Sequence, residues 1–138
     1  MEPRPGPGQP STPRRLLIVD DEEKICRTLA DYFSLKGYEV RAVQRGEEAL
    51  ALADVFQPQV VVLDLLMPGL SGIDTLKTLK QRQPAPKVVI LSAVDLDEVV
   101  QGAMKLGADF YVCKPVNLAQ LESFINGFSG PILPHPRH

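Results

Sequence analysis

The segment Leu16-Leu17-Ile18-Val19-Asp20-Asp21 places four apolar residues directly before two adjacent aspartates. A continuous apolar run of this length is typical of a strand buried on both faces, as in a parallel sheet. Polar groups that follow such strands meet at one edge of the sheet if the strands are neighbours. Three further segments end in the same way: Val60-Val61-Val62-Leu63-Asp64, Val88-Val89-Ile90-Leu91-Ser92 and Phe110-Tyr111-Val112-Cys113-Lys114.

Helical periods alternate with these strands. After the first strand, Ile25, Leu29 and Phe33 recur at four-residue spacing, and Gly37 predicts the end of that helix. The other predicted elements are strands over 38–43, 59–64, 87–92 and 109–113, helices over 47–56 and 95–106, and helices capped by Ser71 and Asn117.

Five such βα units predict an α/β fold with a doubly wound, five-stranded parallel sheet. The expected strand order is 2-1-3-4-5, with helices on both faces, which is a (βα)5 flavodoxin-like three-layer sandwich. In open sheets of this kind, ligands bind beyond the carboxyl ends of the strands, at the switch point between strands one and three. Those two strands end at Asp20-Asp21 and Asp64.

The composition of the two ends of the chain limits the folded domain to residues 15–128. Residues 1–14 contain five prolines and two glycines, which predicts a disordered arm. Residues 129–138 are again rich in proline and predict a flexible tail or the start of a linker.

Charge and hydropathy exclude several classes of protein. The net charge of -2 predicts no direct nucleic-acid binding, and the sequence has no apolar run of membrane-spanning length. Cys26 and Cys113 form no metal-binding pattern, and both lie in apolar segments, which predicts buried thiols. We therefore expect a cytoplasmic domain without disulfides.

Asp20, Asp21 and Asp64 predict a metal site, because three neighbouring carboxylates repel one another unless a hard divalent cation binds them. We expect Mg²⁺, with Mn²⁺ as a substitute. The predicted ligands are Asp21 and Asp64 directly, Asp20 through water, and one backbone carbonyl of the loop after Asp64, assigned to Leu66. The alternative is helix capping, since Asp20 and Glu23 have the spacing of a capping box.

Asp64 is also the predicted nucleophile, which would form an acyl phosphate on its carboxylate. The ammonium of Lys114 and the hydroxyl of Ser92 would each bind one phosphoryl oxygen. Pro115 permits a cis peptide bond after Lys114. Taken singly, these residues have simpler explanations: a turn aspartate, a solvated lysine and a hydroxyl at the end of a strand.

From Leu16 to Phe128 the sequence resembles a response-regulator receiver domain, the phosphoryl-accepting module of two-component signalling. The resemblance rests on Asp20-Asp21, Asp64 with Pro68 and Gly72, Ser92-Ala93, Gly107-Ala108 and Lys114-Pro115. It implies that Asp64 accepts a phosphoryl group from the phosphohistidine of a histidine kinase or phosphotransfer protein, with magnesium required. A domain of this kind is a regulatory phosphoacceptor and not an enzyme acting on other substrates.

The resemblance also implies a conformational switch. Ser92 and Tyr111 would form the switch pair, with the hydroxyl moving to the phosphoryl group and the aromatic ring turning inward. The surface of the fourth helix, fifth strand and fifth helix would then bind a downstream effector, a covalently linked output domain or a second copy of the chain.

Three alternative functions compete with this one. A flavodoxin-like FMN binder is disfavoured because the acids after the first strand would repel the FMN phosphate. An aspartyl-phosphate hydrolase commonly has a second acid two positions after its nucleophile, where this chain has Leu66. A receiver that binds partners without being phosphorylated is disfavoured by the complete set of acids and lysine.

Overall fold

The computed structural model describes residues 14–67 and 69–127. The predicted arm up to residue 13, the tail from residue 129, and Pro68 and Phe128 lie outside the described residues. Arg14, which was predicted to belong to the arm, contacts the folded domain. Its carbonyl accepts a 2.8 Å hydrogen bond from the Glu39 N–H, and its guanidinium donates to the Ile125 carbonyl at 2.9 Å.

Five strands alternate with five helices in the described residues. The strands are β1 (Arg15–Val19), β2 (Glu39–Val43), β3 (Val60–Leu63), β4 (Lys87–Ser92) and β5 (Phe110–Cys113). The helices are α1 (Glu23–Leu35), α2 (Gly46–Phe56), α3 (Gly72–Lys80), α4 (Asp97–Lys105) and α5 (Leu118–Asn126). None of these helices has both the length and the apolar character needed to cross a bilayer.

All four strand pairings are parallel, and the strand order is β2-β1-β3-β4-β5. The side chains of β1 alternate between two apolar layers. Leu17 and Val19 pack with α2, α3 and α4, whereas Leu16 and Ile18 pack with α1 and α5. Because both faces of the strand are covered, its sequence is apolar throughout. The predicted doubly wound three-layer fold is confirmed.

The helix ends follow the predicted signals in most places. The Ser71 hydroxyl accepts a 3.1 Å hydrogen bond from the Asp74 N–H, and Asn117 Oδ1 accepts one of 2.9 Å from the Gln120 N–H. Gly37 follows α1 with φ of 93°, a conformation that favours glycine. The predicted start of the fourth helix is wrong by two residues, because Leu96 is extended and serves as the N-cap of α4.

The two cysteines differ in exposure. Cys26 is buried on α1 as predicted, and its thiol lies 3.1 Å from the Asp20 carbonyl oxygen. The prediction for Cys113 is wrong, because its side chain is exposed. It is the last residue of β5, an edge strand with only one neighbouring strand to cover it.

Candidate functional site

The polar residues that follow β1 and β3 lie side by side at the carboxyl edge of the sheet. Val19 and Leu63 are paired in the β1–β3 register, so Asp20 and Asp64 leave the sheet at the same level. The Asp64 N–H donates to the Val19 carbonyl at 2.9 Å, which continues this pairing by one residue. The carboxylates of Asp20, Asp21 and Asp64 offer oxygen atoms within 4.8 Å of one another.

The Asp64 side chain is held in one orientation by two hydrogen bonds. Asp64 is buried, with only 4% of its surface exposed. Oδ1 accepts from the Leu66 N–H at 3.0 Å, and Oδ2 accepts from the Lys114 ammonium at 3.0 Å. The loop after Asp64 packs closely against Gly72, where an added Cβ would lie 2.3 Å from the Leu65 Cα. Only glycine allows α3 to begin this close to the backbone beside Asp64.

Lys114 joins three carboxylates. Its Nζ lies 3.0 Å from Asp20 Oδ2, 2.8 Å from Glu22 Oε1 and 3.0 Å from Asp64 Oδ2. The peptide bond to Pro115 is cis, an isomer that the sequence permits. The backbone N–H of Lys114 donates to the Ser92 carbonyl at 2.8 Å, which ties the end of β5 to the end of β4.

The electrostatics of the site follow from burial beside several acids. Burial raises the pKa of Asp20, and the neighbouring Asp64 carboxylate raises it further, against hydrogen bonds from the Glu22 N–H and Lys114. Burial alone would lower the pKa of Lys114, but its hydrogen bonds to Glu22, Asp20 and Asp64 outweigh this and raise it. One ammonium therefore stabilises negative charge on several carboxylates at once.

The donor set fits a hard divalent cation. Asp20, Asp21 and Asp64 supply oxygen ligands, which Mg²⁺ and Mn²⁺ prefer. With Glu22 the site contains four acids, and Lys114 is the only cation that contacts them in the described residues. The excess of negative charge leaves the site favourable for a dication. The assignment of the Leu66 carbonyl as a ligand stays a prediction.

Ser92 and Tyr111 both contact Val94, in the loop before α4. The buried Ser92 hydroxyl accepts a 3.3 Å hydrogen bond from the Val94 N–H, and the Tyr111 hydroxyl donates to the Val94 carbonyl at 2.6 Å. Burial raises the pKa of Tyr111, while a hydrogen bond with Ser92 opposes that change. The two residues predicted to form a switch therefore share a backbone partner, although their switching role stays a prediction.

The capping interpretation of the acidic segment is not supported. The N-cap of α1 is Glu22, and its side chain makes no capping hydrogen bond. Asp20 Oδ1 instead accepts a 2.9 Å hydrogen bond from the Glu22 N–H, which closes a turn between β1 and α1. The contact of Glu22 with Lys114 was not predicted from the sequence. The signal was a third consecutive acid after the strand.

Comparisons with known proteins agree with this fold. Residues 16–126 match the family described as "Response regulator receiver domain". "Probable transcriptional regulator ycf27" of Cyanophora paradoxa is 38% identical over 112 residues, covering 81% of this chain and 46% of that protein. "Alkaline phosphatase synthesis transcriptional regulatory protein PhoP" of Bacillus subtilis is 38% identical over 104 residues, covering 74% of this chain and 42% of that protein. The chain thus spans about half the length of these curated relatives.

Solved structures show the same similarity. The CheY-like response regulator receiver domain protein of Methanospirillum hungatei JF-1 matches with a TM-score of 0.82 and 26% identity, covering 86% of this chain and 94% of that chain. The Francisella response regulator 1452 receiver domain matches with a TM-score of 0.78 and 33% identity, covering 84% and 96%. A response regulator of Burkholderia pseudomallei, crystallised with a phosphorylated aspartic acid, calcium ion and citrate, matches with a TM-score of 0.75 and 30% identity, covering 80% and 65%.

Proposed function

This chain belongs to the response regulator receiver domain family of two-component systems, and we propose that Asp64 is its phosphoacceptor. The observation that carries the proposal is the buried Asp64 carboxylate, which Lys114 contacts and which lies beside Asp20 and Asp21. The donor is the phosphohistidine of a histidine kinase or a phosphotransfer protein. Its P–N bond breaks as a bond forms between phosphorus and an Asp64 oxygen, and the histidine nitrogen leaves with the electron pair.

The other site residues hold and neutralise the transferred group. Mg²⁺ or Mn²⁺ would be held by Asp20, Asp21, Asp64 and the Leu66 carbonyl. When bound, the metal would neutralise negative charge on the phosphoryl group. Lys114 and Ser92 each donate a hydrogen bond to a phosphoryl oxygen. The close grouping of the three carboxylates supports the metal assignment, and the contact of Lys114 with Asp64 supports the role of the amine.

Phosphorylation then changes the surface of α4, β5 and α5. The contacts of Val94, which precedes α4, support this change: its backbone is hydrogen-bonded to both Ser92 and Tyr111. A Ser92 hydroxyl drawn toward the phosphoryl group would release one of these contacts. The partner is a downstream effector, a linked output domain or a second copy, since relatives described as transcriptional regulators are about twice as long as the matched region. The domain acts as a cytoplasmic regulator and not as an enzyme on other substrates.

The test is phosphorylation by acetyl phosphate in the presence of Mg²⁺, followed by intact mass measurement. The wild type and Asp31→Asn, which changes an exposed aspartate on α1, should gain one phosphoryl group. Asp64→Asn should gain none, and EDTA should abolish the reaction because the carboxylates alone repel phosphate. An equal mass gain in Asp64→Asn would exclude Asp64 as the acceptor.

A further inference from the structure

Carboxylates surround the Lys114 ammonium, which donates hydrogen bonds to Glu22 and Asp64 and forms an ion pair with Asp20. An ammonium carries three N–H groups, and Nζ has three carboxylate partners within 3.0 Å: Asp20, Glu22 and Asp64. The proposed function requires this same ammonium to bind a phosphoryl oxygen. A phosphoryl oxygen that binds Nζ therefore competes with these three contacts.

The three partners differ in how easily they can leave. The side chains of Asp20 and Asp64 are 3% and 4% exposed, whereas that of Glu22 is 57% exposed. Separating a buried carboxylate from its cation is costly because water cannot replace the lost contact. The Glu22 carboxylate can be hydrated as soon as it leaves. It is also the partner on the solvent side of the site, from which a phosphodonor approaches.

We propose that Glu22 is a positioning residue that occupies the solvent-side donor of Lys114 until a phosphoryl oxygen replaces it. This inference rests on the proposed function of Asp64 as phosphoacceptor. In the unphosphorylated protein, the Glu22 contact holds the ammonium over the site and keeps it from an incoming anion. On transfer, the phosphoryl group takes the donor, and like-charge repulsion drives the Glu22 carboxylate outward into water. Glu22 thereby favours the unphosphorylated state.

The first test is the rate of Asp64 phosphorylation by acetyl phosphate at saturating Mg²⁺. Glu22→Gln should raise this rate roughly two- to fivefold. This is the change in rate that corresponds to the free energy of a partly exposed ion pair. Glu23→Gln is the matched control, because its carboxylate pairs with Arg27 on the surface of α1 and does not contact Lys114. On a Lys114→Ala background, Glu22→Gln should have no effect on the rate.

The Lys114→Ala background separates the proposed contact from simple repulsion. A carboxylate that only repelled the donor would slow the reaction with or without the ammonium. Equal acceleration by Glu22→Gln in both backgrounds would therefore overturn the proposal. An unchanged rate in Glu22→Gln would overturn it as well.

The second test needs no phosphoryl group. NMR of the unphosphorylated protein should show faster exchange of the Lys114 ammonium protons with water in Glu22→Gln than in wild type, and no change in Glu23→Gln. Unchanged exchange in Glu22→Gln would exclude the proposed contact between Glu22 and Lys114, even if Asp64 is phosphorylated normally. Conversely, failure to phosphorylate Asp64 in wild type would overturn the proposed function, while this exchange measurement would still decide whether Glu22 holds Lys114.

Discussion

The ammonium of Lys114 lies 3.0 Å from Asp64 Oδ2, although 50 residues separate the two along the chain. Asp64 follows β3 and Lys114 follows β5, so the contact passes over the end of the intervening strand β4. Ser92, the last residue of β4, accepts a backbone hydrogen bond from Lys114. The ends of three strands are thus connected at the carboxylate proposed to accept the phosphoryl group.

Removing this amine should uncouple phosphorylation from its conformational readout. Lys114→Ala should keep the fold, because the side chain contacts site carboxylates and not the apolar core. Phosphorylation-dependent shifts in the NMR spectrum should be lost in Lys114→Ala and kept in Lys77→Ala, which changes an exposed lysine on α3. Normal shifts in Lys114→Ala would contradict the assigned role.

Asp21→Ala should weaken Mg²⁺ binding by at least about tenfold, since loss of even an indirect metal partner has an effect of this size. Without metal, the same change should raise the free energy of unfolding slightly, by roughly 0.5 kcal/mol or less, because repulsion with its neighbours is relieved. Calorimetric Mg²⁺ titration and urea unfolding measure the two effects, with Asp31→Ala as the control. Unchanged affinity would remove Asp21 from the ligand set.

Cys26 should make stability depend on pH in the alkaline range. Burial, together with the nearby Asp20 charge, raises the pKa of this thiol from 9.0 to about 11. Between these values the unfolded chain ionises while the folded thiol keeps its proton, so stability falls as pH rises from about 9 to 11. The loss should be on the order of 2 kcal/mol. Urea unfolding should show a shallower decline in Cys26→Ala, and an equal decline in both proteins would refute the assignment.

Phosphorylation should alter hydrogen exchange on the proposed partner surface. Beryllofluoride is a phosphoryl mimic, and its binding should change hydrogen exchange over 99–111, because Tyr111 lies in that region and shares with Ser92 the partner Val94, in the loop before α4. Asp64→Asn treated in the same way provides the control. Changes confined to the loop after Asp64 would count against this switch.

The phosphorylated state should decay slowly, because the positions suited to orient an attacking water are apolar. Leu66 lies two residues after Asp64, and Val94 lies two residues after Ser92. Leu66 is 57% exposed and Val94 is partly buried. Leu66→Asn and Val94→Glu should each lose phosphate faster than wild type, because both introduce a group that can bind water. Leu35→Asn, an exposed change at the end of α1, should not.

Decay of the phosphorylated proteins, followed by mass spectrometry, decides whether these side chains shield the phosphoryl group. If both Leu66→Asn and Val94→Glu decay at the wild-type rate, loop mobility alone sets the lifetime and the shielding hypothesis fails.

The sequence by itself determined the elements and the edge at which the site lies. Apolar runs such as Leu16–Val19 specify strands covered on both faces, and parallel strands bring their carboxyl ends to the same edge. Asp20 and Asp64 could therefore be placed together without knowledge of any contact. The caps Ser71 and Asn117 were equally local, since each acts on a backbone N–H three residues away.

Only the tertiary structure decided how the side chains share their partners. Which carboxylates bind Lys114 depends on the reach of a long side chain across β4 and on the exposure of each acid, and neither quantity has a local sequence period. The contact with Glu22 was missed for that reason. The predicted strand order already put β5 at the edge, but the apolar neighbours of Cys113 do not indicate how much of the end of that strand is covered. Sequence periodicity indicates which faces of a helix or strand are buried. The acids that share the Lys114 ammonium, and the exposure of a side chain at the end of an edge strand, depend on packing between distant segments.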